Sequence, residues 1–133
     1  MDDDLWTSFY LRSSRADRYV GMLPVYLNRF LNASNRQVRI SHQYAVKAVE
    51  KHRLAPSLLS QMTLALRHGD VFHDRERHLT FVYYSTDHAR WFQLTIKCCS
   101  EKRHLFVATF HGLGSDDVKR LRKRYHQVWP LER

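Results

Sequence analysis

The sequence predicts an α+β domain in which helices come first, an antiparallel sheet follows and a basic helix closes the chain. Apolar residues recur three and four positions apart as far as about residue 68, and then alternate with a period of two from Val71 to His111. Ser115, followed by two acids and then by five basic residues, is predicted to cap the final helix. These changes of period give the order of the elements.

The first predicted helix runs from Asp17 to Leu31, and Pro24 within it predicts a kink or a late start. Its stripe at three- and four-residue spacing is Tyr19, Met22, Leu23, Tyr26, Leu27 and Phe30. Residues 32–35 then form a loop and residues 37–40 an extended segment. The domain is therefore divided into a helical N-terminal extension over 1–35, a core over 36–112 and a basic C-terminal helix over 113–133.

Two further helices are predicted in the core. Ser41 caps the first, which runs from His42 to about His52. Its inner stripe is Ala45, Ala48, Val49 and His52. The second begins at Pro56 and ends at Gly69.

Four antiparallel strands are predicted after Gly69: one beginning at Val71-Phe72, then 78–84, 90–98 and 104–111. When the apolar sides of the last two strands face the helices, Ile96 lies opposite Ala108. In this register the opposite face displays Gln93, Thr95, Lys97, Thr109 and His111, with Lys97 opposite Val107. A cation, hydroxyls and an imidazole form a suitable floor for a phosphodiester, although any half-exposed sheet also shows polar residues on its outer side.

Composition limits the class of partner. The 133 residues hold 22 Lys and Arg against 13 Asp and Glu, a formal net charge of +9. We therefore expect nucleic acid, an anionic surface or an acidic protein as the partner. We expect no membrane anchor, no secretory signal and action in the cytoplasm, with delivery as part of a secreted effector as the alternative. Cys98 and Cys99 are predicted to be reduced thiols, and the sequence predicts no metal and no cofactor.

Five segments resemble a known ribonuclease superfamily over residues 38–112. They are ISHQYA at 40–45, LAPS at 54–57, ALRHGDVFHDR at 65–75, WFQLTIK at 91–97 and LFVATFH at 105–111. Together they are similar to the small toxin ribonucleases of the barnase/EndoU/colicin/RelE-like (BECR) fold, in its phage and polymorphic-toxin branches. The resemblance implies N-terminal helices packed on a four-stranded antiparallel sheet, and RNA cleavage without metal on the exposed face of that sheet.

The resemblance also implies four catalytic residues. His42 matches the His that opens the first core helix of the family, Lys97 the cation late on the central strand, and Thr109 the hydroxyl on the last strand. His111 stands where many relatives have Tyr. For cleavage by the 2′-hydroxyl, we assign His42 as general base and His111 as acid, or the reverse. Lys97 and Arg77 would neutralise the phosphorane, and Thr109 would donate a hydrogen bond.

Substrate-binding residues are predicted beside this floor. Tyr83, Tyr84 and Trp91 bracket a turn, where exposed aromatic rings could stack on bases. The alternative is that they fill the core. The remaining substrate-binding candidates are Arg77, Gln93, Thr95, Lys119, Arg120 and Lys123.

The sequence thus predicts a metal-independent endoribonuclease toxin that cleaves tRNA or mRNA and is restrained by an acidic antitoxin or immunity protein. The alternative is a non-catalytic basic module, from a phage or mobile element, that binds nucleic acid or protein. A third hypothesis is a DNA-binding regulator that reads a groove through the last helix, although no helix-turn-helix spacing precedes that helix.

Overall fold

A computed structural model describes residues 2–12, 16–101 and 103–130. The predicted segments 1–35 and 113–133 include residues 1, 13–15 and 131–133, which lie outside this range. The helices are α1 (Asp2–Leu11), α2 (Asn28–Leu31), α3 (His42–Lys51), α4 (Gln61–His68) and α5 (Ser115–Arg124). The strands are β1 (Asp17–Met22), β2 (Gln37–Ser41), β3 (Asp70–Arg75), β4 (His78–Ser85), β5 (Arg90–Cys98), β6 (Leu105–Leu113) and β7 (His126–Trp129).

The described strands form one seven-stranded sheet in the order β1-β2-β6-β5-β4-β3-β7. The pairing of β2 with β6 is parallel, with Val38 opposite Leu105, and the other pairings are antiparallel. The predicted four-stranded antiparallel sheet is therefore wrong, although the α+β class holds. Three additional strands flank the four that the period-two pattern predicted.

The strand β1 occupies the first half of the segment predicted as helix. It pairs antiparallel with β2, and its register shifts between Tyr19 and Gly21. This bulge breaks the alternation of the strand and leaves Tyr19 and Met22 exposed while Val20 is buried. The resulting spacing of apolar residues in β1 resembles that of an amphipathic helix. The late helix start predicted from Pro24 is confirmed, because a 3₁₀ turn over 25–27 leads into α2.

The predicted C-terminal basic helix is also shorter than expected. The helix α5 ends at Arg124, and β7 follows it and pairs with β3 at the edge of the sheet. Gly114, rather than Ser115, occupies the N-cap, and its N–H donates to Asp117 Oδ2 at 3.1 Å. Val128, a β-branched residue of a type enriched in strands, is buried in β7.

Helices α2–α4 and α5 contact opposite faces of the sheet, and α1 packs on α3 and on the 3₁₀ turn over 56–60. On the inner face, which α2–α4 cover, the largest fully buried sheet side chains are Phe81, Phe92 and Phe110. On the outer face α5 packs a second, smaller core, made of Phe72, Val82, Val118 and Leu121. An ion pair of 2.7 Å between Arg122 and Asp70 also fixes α5 to β3. The outer face, predicted to be open, is thus partly covered.

The predicted hairpin register is half confirmed. Thr95 lies opposite Thr109 and Gln93 opposite His111, as expected. Beyond Thr95 a bulge leaves Ala108 without a partner, so Ile96 lies opposite Val107 and Lys97 opposite Phe106. The predicted pairings of Ile96 with Ala108 and of Lys97 with Val107 are wrong by this one inserted residue.

Gly69 marks a close approach between α4 and the sheet, and it gives a stability prediction. A Cβ at this position would lie 2.6 Å from the Ala65 carbonyl oxygen and 3.1 Å from that of Val82. Because both neighbours are backbone atoms, we expect Gly69→Ala to lower the free energy of unfolding by about 1–3 kcal/mol in urea melts. Gly114→Ala is the control, since its Cβ would meet Asp117 at an ordinary 3.5 Å. Equal stability of the two variants would contradict the packing described here.

Candidate functional site

A cleft lies between α3 and the part of β6 that has no strand on that side. The strand β2 pairs with β6 only at Leu105 and Phe106, the first two residues of β6. The chain then leaves β2 and enters α3, while β6 continues to Leu113 without a partner strand on this side. The two elements leave a groove between them, which we term the α3–β6 cleft. Its lining is Ile40, Tyr44, Lys47, Ala48, Lys51, His52 and Val107 to His111.

Two histidines meet at one end of the α3–β6 cleft. His52 is the C-cap of α3, and its ring centroid lies 5.0 Å from that of His111 on β6, with the ring planes 38° apart. The Nδ1 of His111 lies 2.9 Å from the Gly112 carbonyl oxygen. A carbonyl oxygen only accepts, so Nδ1 carries a proton and Nε2 is the nitrogen left for a ligand. The pair is therefore suited to exchange protons with a bound group.

The position of His52 lowers its pKa. Burial of the ring is the largest cause, and the charges of His111, Lys51 and Lys47 act in the same direction. The neutral form of His52 is consequently favoured near pH 7.

Cations flank the histidine pair. Lys47 and Lys51 are exposed on α3 and line the cleft, and among the described residues none that lines it is acidic. Lys97, expected beside His111, is not among the residues that line the cleft; its Nζ lies 5.8 Å from the ring centroid of Tyr44, which does line it. The exposed Thr109 also lines the cleft and offers a hydroxyl there. This arrangement is complementary to an anionic ligand that runs along the cleft.

The structure does not bring His42 together with His111. His42 opens α3, and the ten residues of that helix separate it from His52 by about 15 Å. Its Nε2 donates to the Tyr10 carbonyl oxygen at 2.9 Å, and its ring packs edge-on against Phe9 of α1. The residue expected as general base therefore anchors α1 to α3.

A second groove lies on the outer face beneath α5, and we term it the α5 groove. It is lined by Gln93, His111, Gly112, Leu113, Asp117, Arg120, Leu121, Arg124 and Tyr125. The pKa of Asp117 is lowered, first by the hydrogen bond from the Gly114 N–H and then by the side chain of Arg120, with a smaller effect from the charge of His111. Of the predicted α5 residues, Arg120 lines this groove, whereas Lys119 and Lys123 are exposed outside its lining.

The other predicted substrate-binding residues are dispersed. Tyr83 packs against the inner core, so the core alternative holds for it. Tyr84 is exposed on the outer face, edge-on to Trp91, which is partly covered by the α5 core. Thr95 is only 4% exposed and is enclosed beneath the outer face. Arg77 lies in the turn between β3 and β4, where it lines a separate cleft with Lys97.

His52, Lys47 and Lys51 were not predicted as site residues from the sequence. His52 was placed on the apolar stripe of α3, as a residue facing the core. A titratable ring at the end of such a stripe is the signal that could have identified it. The lysines lie on the same side of α3 at i+3/i+4 spacing from Tyr44 and from each other.

Comparisons with protein-family models, with curated proteins and with solved structures found no match. Among the described residues, no three His, Cys, Asp or Glu are grouped so that they could hold a metal ion. In the same part of the chain, the helices are too short or too polar to cross a membrane.

The lowered pKa of His52 predicts how stability depends on pH. Because the folded-state pKa lies below the ordinary value of 6.5, the unfolded chain takes up the proton more readily. Stability is therefore lost as the pH falls below about 6.5 towards the folded-state pKa. We expect His52→Gln to lose less free energy of unfolding than the wild type between pH 7.5 and pH 5 in urea melts. An equal loss in both proteins would show that His52 is not the group responsible.

Proposed function

We propose that this protein is an endoribonuclease that cleaves single-stranded RNA without a metal, through the 2′-hydroxyl of the ribose. The observation that carries the proposal is the pair of imidazoles, 5.0 Å apart, in a cleft flanked by lysines. The resemblance to the BECR ribonucleases supports the same chemistry and the same last-strand residues, Thr109 and His111.

The reaction needs three contributions. A base takes the proton from the 2′-hydroxyl, whose oxygen then bonds to phosphorus. An acid gives a proton to the 5′-oxygen as its bond to phosphorus breaks, which leaves a 2′,3′-cyclic phosphate and a 5′-hydroxyl. Positive charge stabilises the phosphorane between these steps, and each acid or base contributes about 10²- to 10⁴-fold.

We assign His52 as the base, because its lowered pKa keeps it neutral near pH 7. His111 is the acid in its imidazolium form, which carries a proton on each nitrogen; Nε2 gives its proton, since Nδ1–H is engaged with Gly112. A phosphodiester seated against the edges of both rings would present one apical oxygen to each. This assignment keeps His111 in the role expected from the sequence and replaces His42 with His52.

The remaining groups stabilise the negative charge of the phosphorane and of the RNA backbone. Lys47 and Lys51 are placed to neutralise the phosphorane, and the Thr109 hydroxyl is placed to donate a hydrogen bond to a phosphoryl oxygen. Lys97 lies outside the lining of the cleft, near the ring of Tyr44, and would contact a phosphate further along the RNA strand.

We extend the proposal to the biological role expected from the resemblance. The enzyme would act as a toxin on tRNA or mRNA, and an acidic antitoxin or immunity protein would restrain it. The net charge of +9 supports both partners, because an acidic inhibitor presents the same sign of charge as RNA.

The test is incubation of the purified protein with an RNA oligonucleotide, and with the DNA oligonucleotide of the same sequence, in excess EDTA. We expect cleavage of the RNA alone, because the DNA lacks the attacking hydroxyl. Intact RNA would contradict the proposal. Tight, strongly salt-dependent binding without cleavage would instead indicate the non-catalytic module.

A further inference from the structure

The α5 groove adjoins the histidine pair, because His111 lines both this groove and the α3–β6 cleft. We propose that the α5 groove is a base-selective subsite, in which the side-chain amide of Gln93 reads the hydrogen-bonding edge of one nucleobase. The inference rests on the proposed function, since RNA held at His111 would extend its neighbouring nucleotide into this groove.

The residues that line the α5 groove are of the types that bind a nucleobase and its phosphate. Leu113 and Leu121 supply apolar surface, and Tyr125 adds an aromatic ring. The guanidinium of Arg124 lies 5.4 Å from the Tyr125 ring centroid. Unpaired bases stack on aromatic rings and on guanidinium planes, while arginine also pairs with phosphate. The groove therefore combines a stacking surface with cations.

Gln93 supplies the polar group that can tell bases apart. It lies directly opposite His111 in the sheet and lines the groove. Its Nε2 donates to the Thr95 Oγ1 at 3.3 Å, which leaves the carbonyl oxygen and the second N–H for a ligand. A donor and an acceptor side by side are the pattern that an amide uses to recognise a base edge.

Two buried threonines hold this amide in place. Thr95 Oγ1 lies 2.9 Å from Thr80 Oγ1, and these residues are only 4% and 1% exposed. Neither can contact a ligand, so both are positioning residues that act through Gln93. An amide that is oriented before binding loses little rotamer freedom when the base arrives, which favours discrimination.

The experiment measures binding of four homo-oligonucleotides with 2′-O-methyl ribose, which cannot be cleaved through the 2′-oxygen. We expect the wild type to bind one base about 5- to 10-fold more tightly than the others, and Gln93→Leu to lose that preference. Thr95→Val should weaken the preference without removing a contact to the ligand, and urea melts confirm that this variant is folded. Lys119→Ala, on the exposed side of α5, is the control and should lower all four affinities equally.

Equal affinity of the wild type for the four oligonucleotides would overturn the base-selective subsite, as would an unchanged preference in Gln93→Leu. Cleavage of unmodified RNA is measured in parallel. Base discrimination without any cleavage would contradict the proposed ribonuclease alone, whereas cleavage without discrimination would contradict the subsite alone.

Discussion

Replacing His52 with alanine should lower the rate of RNA cleavage by about 10²- to 10⁴-fold, because the general base is lost. His111→Ala should cause a fall of similar size through loss of the acid. The measurement is the single-turnover rate on a fluorescent RNA oligonucleotide in EDTA. RNA affinity should change little, since the cleft retains its lysines.

His42 provides a matched control for this prediction. It is a histidine at the other end of the same helix, and it packs on α1 rather than in the cleft. His42→Gln should therefore cleave RNA within about threefold of the wild-type rate, provided that urea melts show it to be folded. A collapse of activity in folded His42→Gln, with His52→Ala still active, would return the role of base to His42 and refute the assignment.

Shortening Leu121 to alanine should lower the free energy of unfolding by about 2–4 kcal/mol. Leu121 is 7% exposed and packs with Phe72, Val82 and Val118 in the core between α5 and the outer face. The loss combines the apolar area returned to water with the cavity that remains beneath α5.

Lys123→Ala tests the same helix on its exposed side, where we expect a change within about 0.5 kcal/mol. Urea unfolding of the two variants gives the comparison directly. If Leu121→Ala were as stable as Lys123→Ala, α5 would not be packed on the sheet as described, and the α5 groove would lose its wall.

Local sequence patterns were sufficient to predict those helices and strands whose apolar residues repeat without interruption. The cap of α3 was predicted from Ser41, and its Oγ accepts from the Tyr44 N–H at 3.1 Å. The strands β4, β5 and β6 followed from their period of two. Each of these signals is contained within about ten residues of sequence.

Four features of the fold depend on contacts that the local pattern does not contain. The parallel pairing of β2 with β6 joins residues that are 67 positions apart, Val38 with Leu105. The bulge in β1 gives a strand the apolar spacing of a helix, and the bulge at Ala108 shifts the hairpin register by one residue. The outer face was expected to be open because nothing in its own strands indicates that α5 packs on it.

Only part of the candidate site was predicted, because the rest also depends on contacts between distant segments. His111, Thr109 and Gln93 were placed on one face correctly, because strand alternation fixes the side on which each lies. The partner of His111 was expected at the start of α3 and lies at its end. The sequence shows that His42 and His52 share a helix, but only the direction in which α3 runs along β6 decides which of them meets His111.

The central claim is that the ribose 2′-hydroxyl attacks the phosphodiester at the His52–His111 pair. The most direct test is the chemistry of the ends left on cleaved RNA, determined by mass spectrometry after digestion in EDTA. The account predicts a 2′,3′-cyclic phosphate on one fragment and a 5′-hydroxyl on the other. Fragments that carry a 3′-hydroxyl and a 5′-phosphate would contradict it, because those ends require attack by water instead.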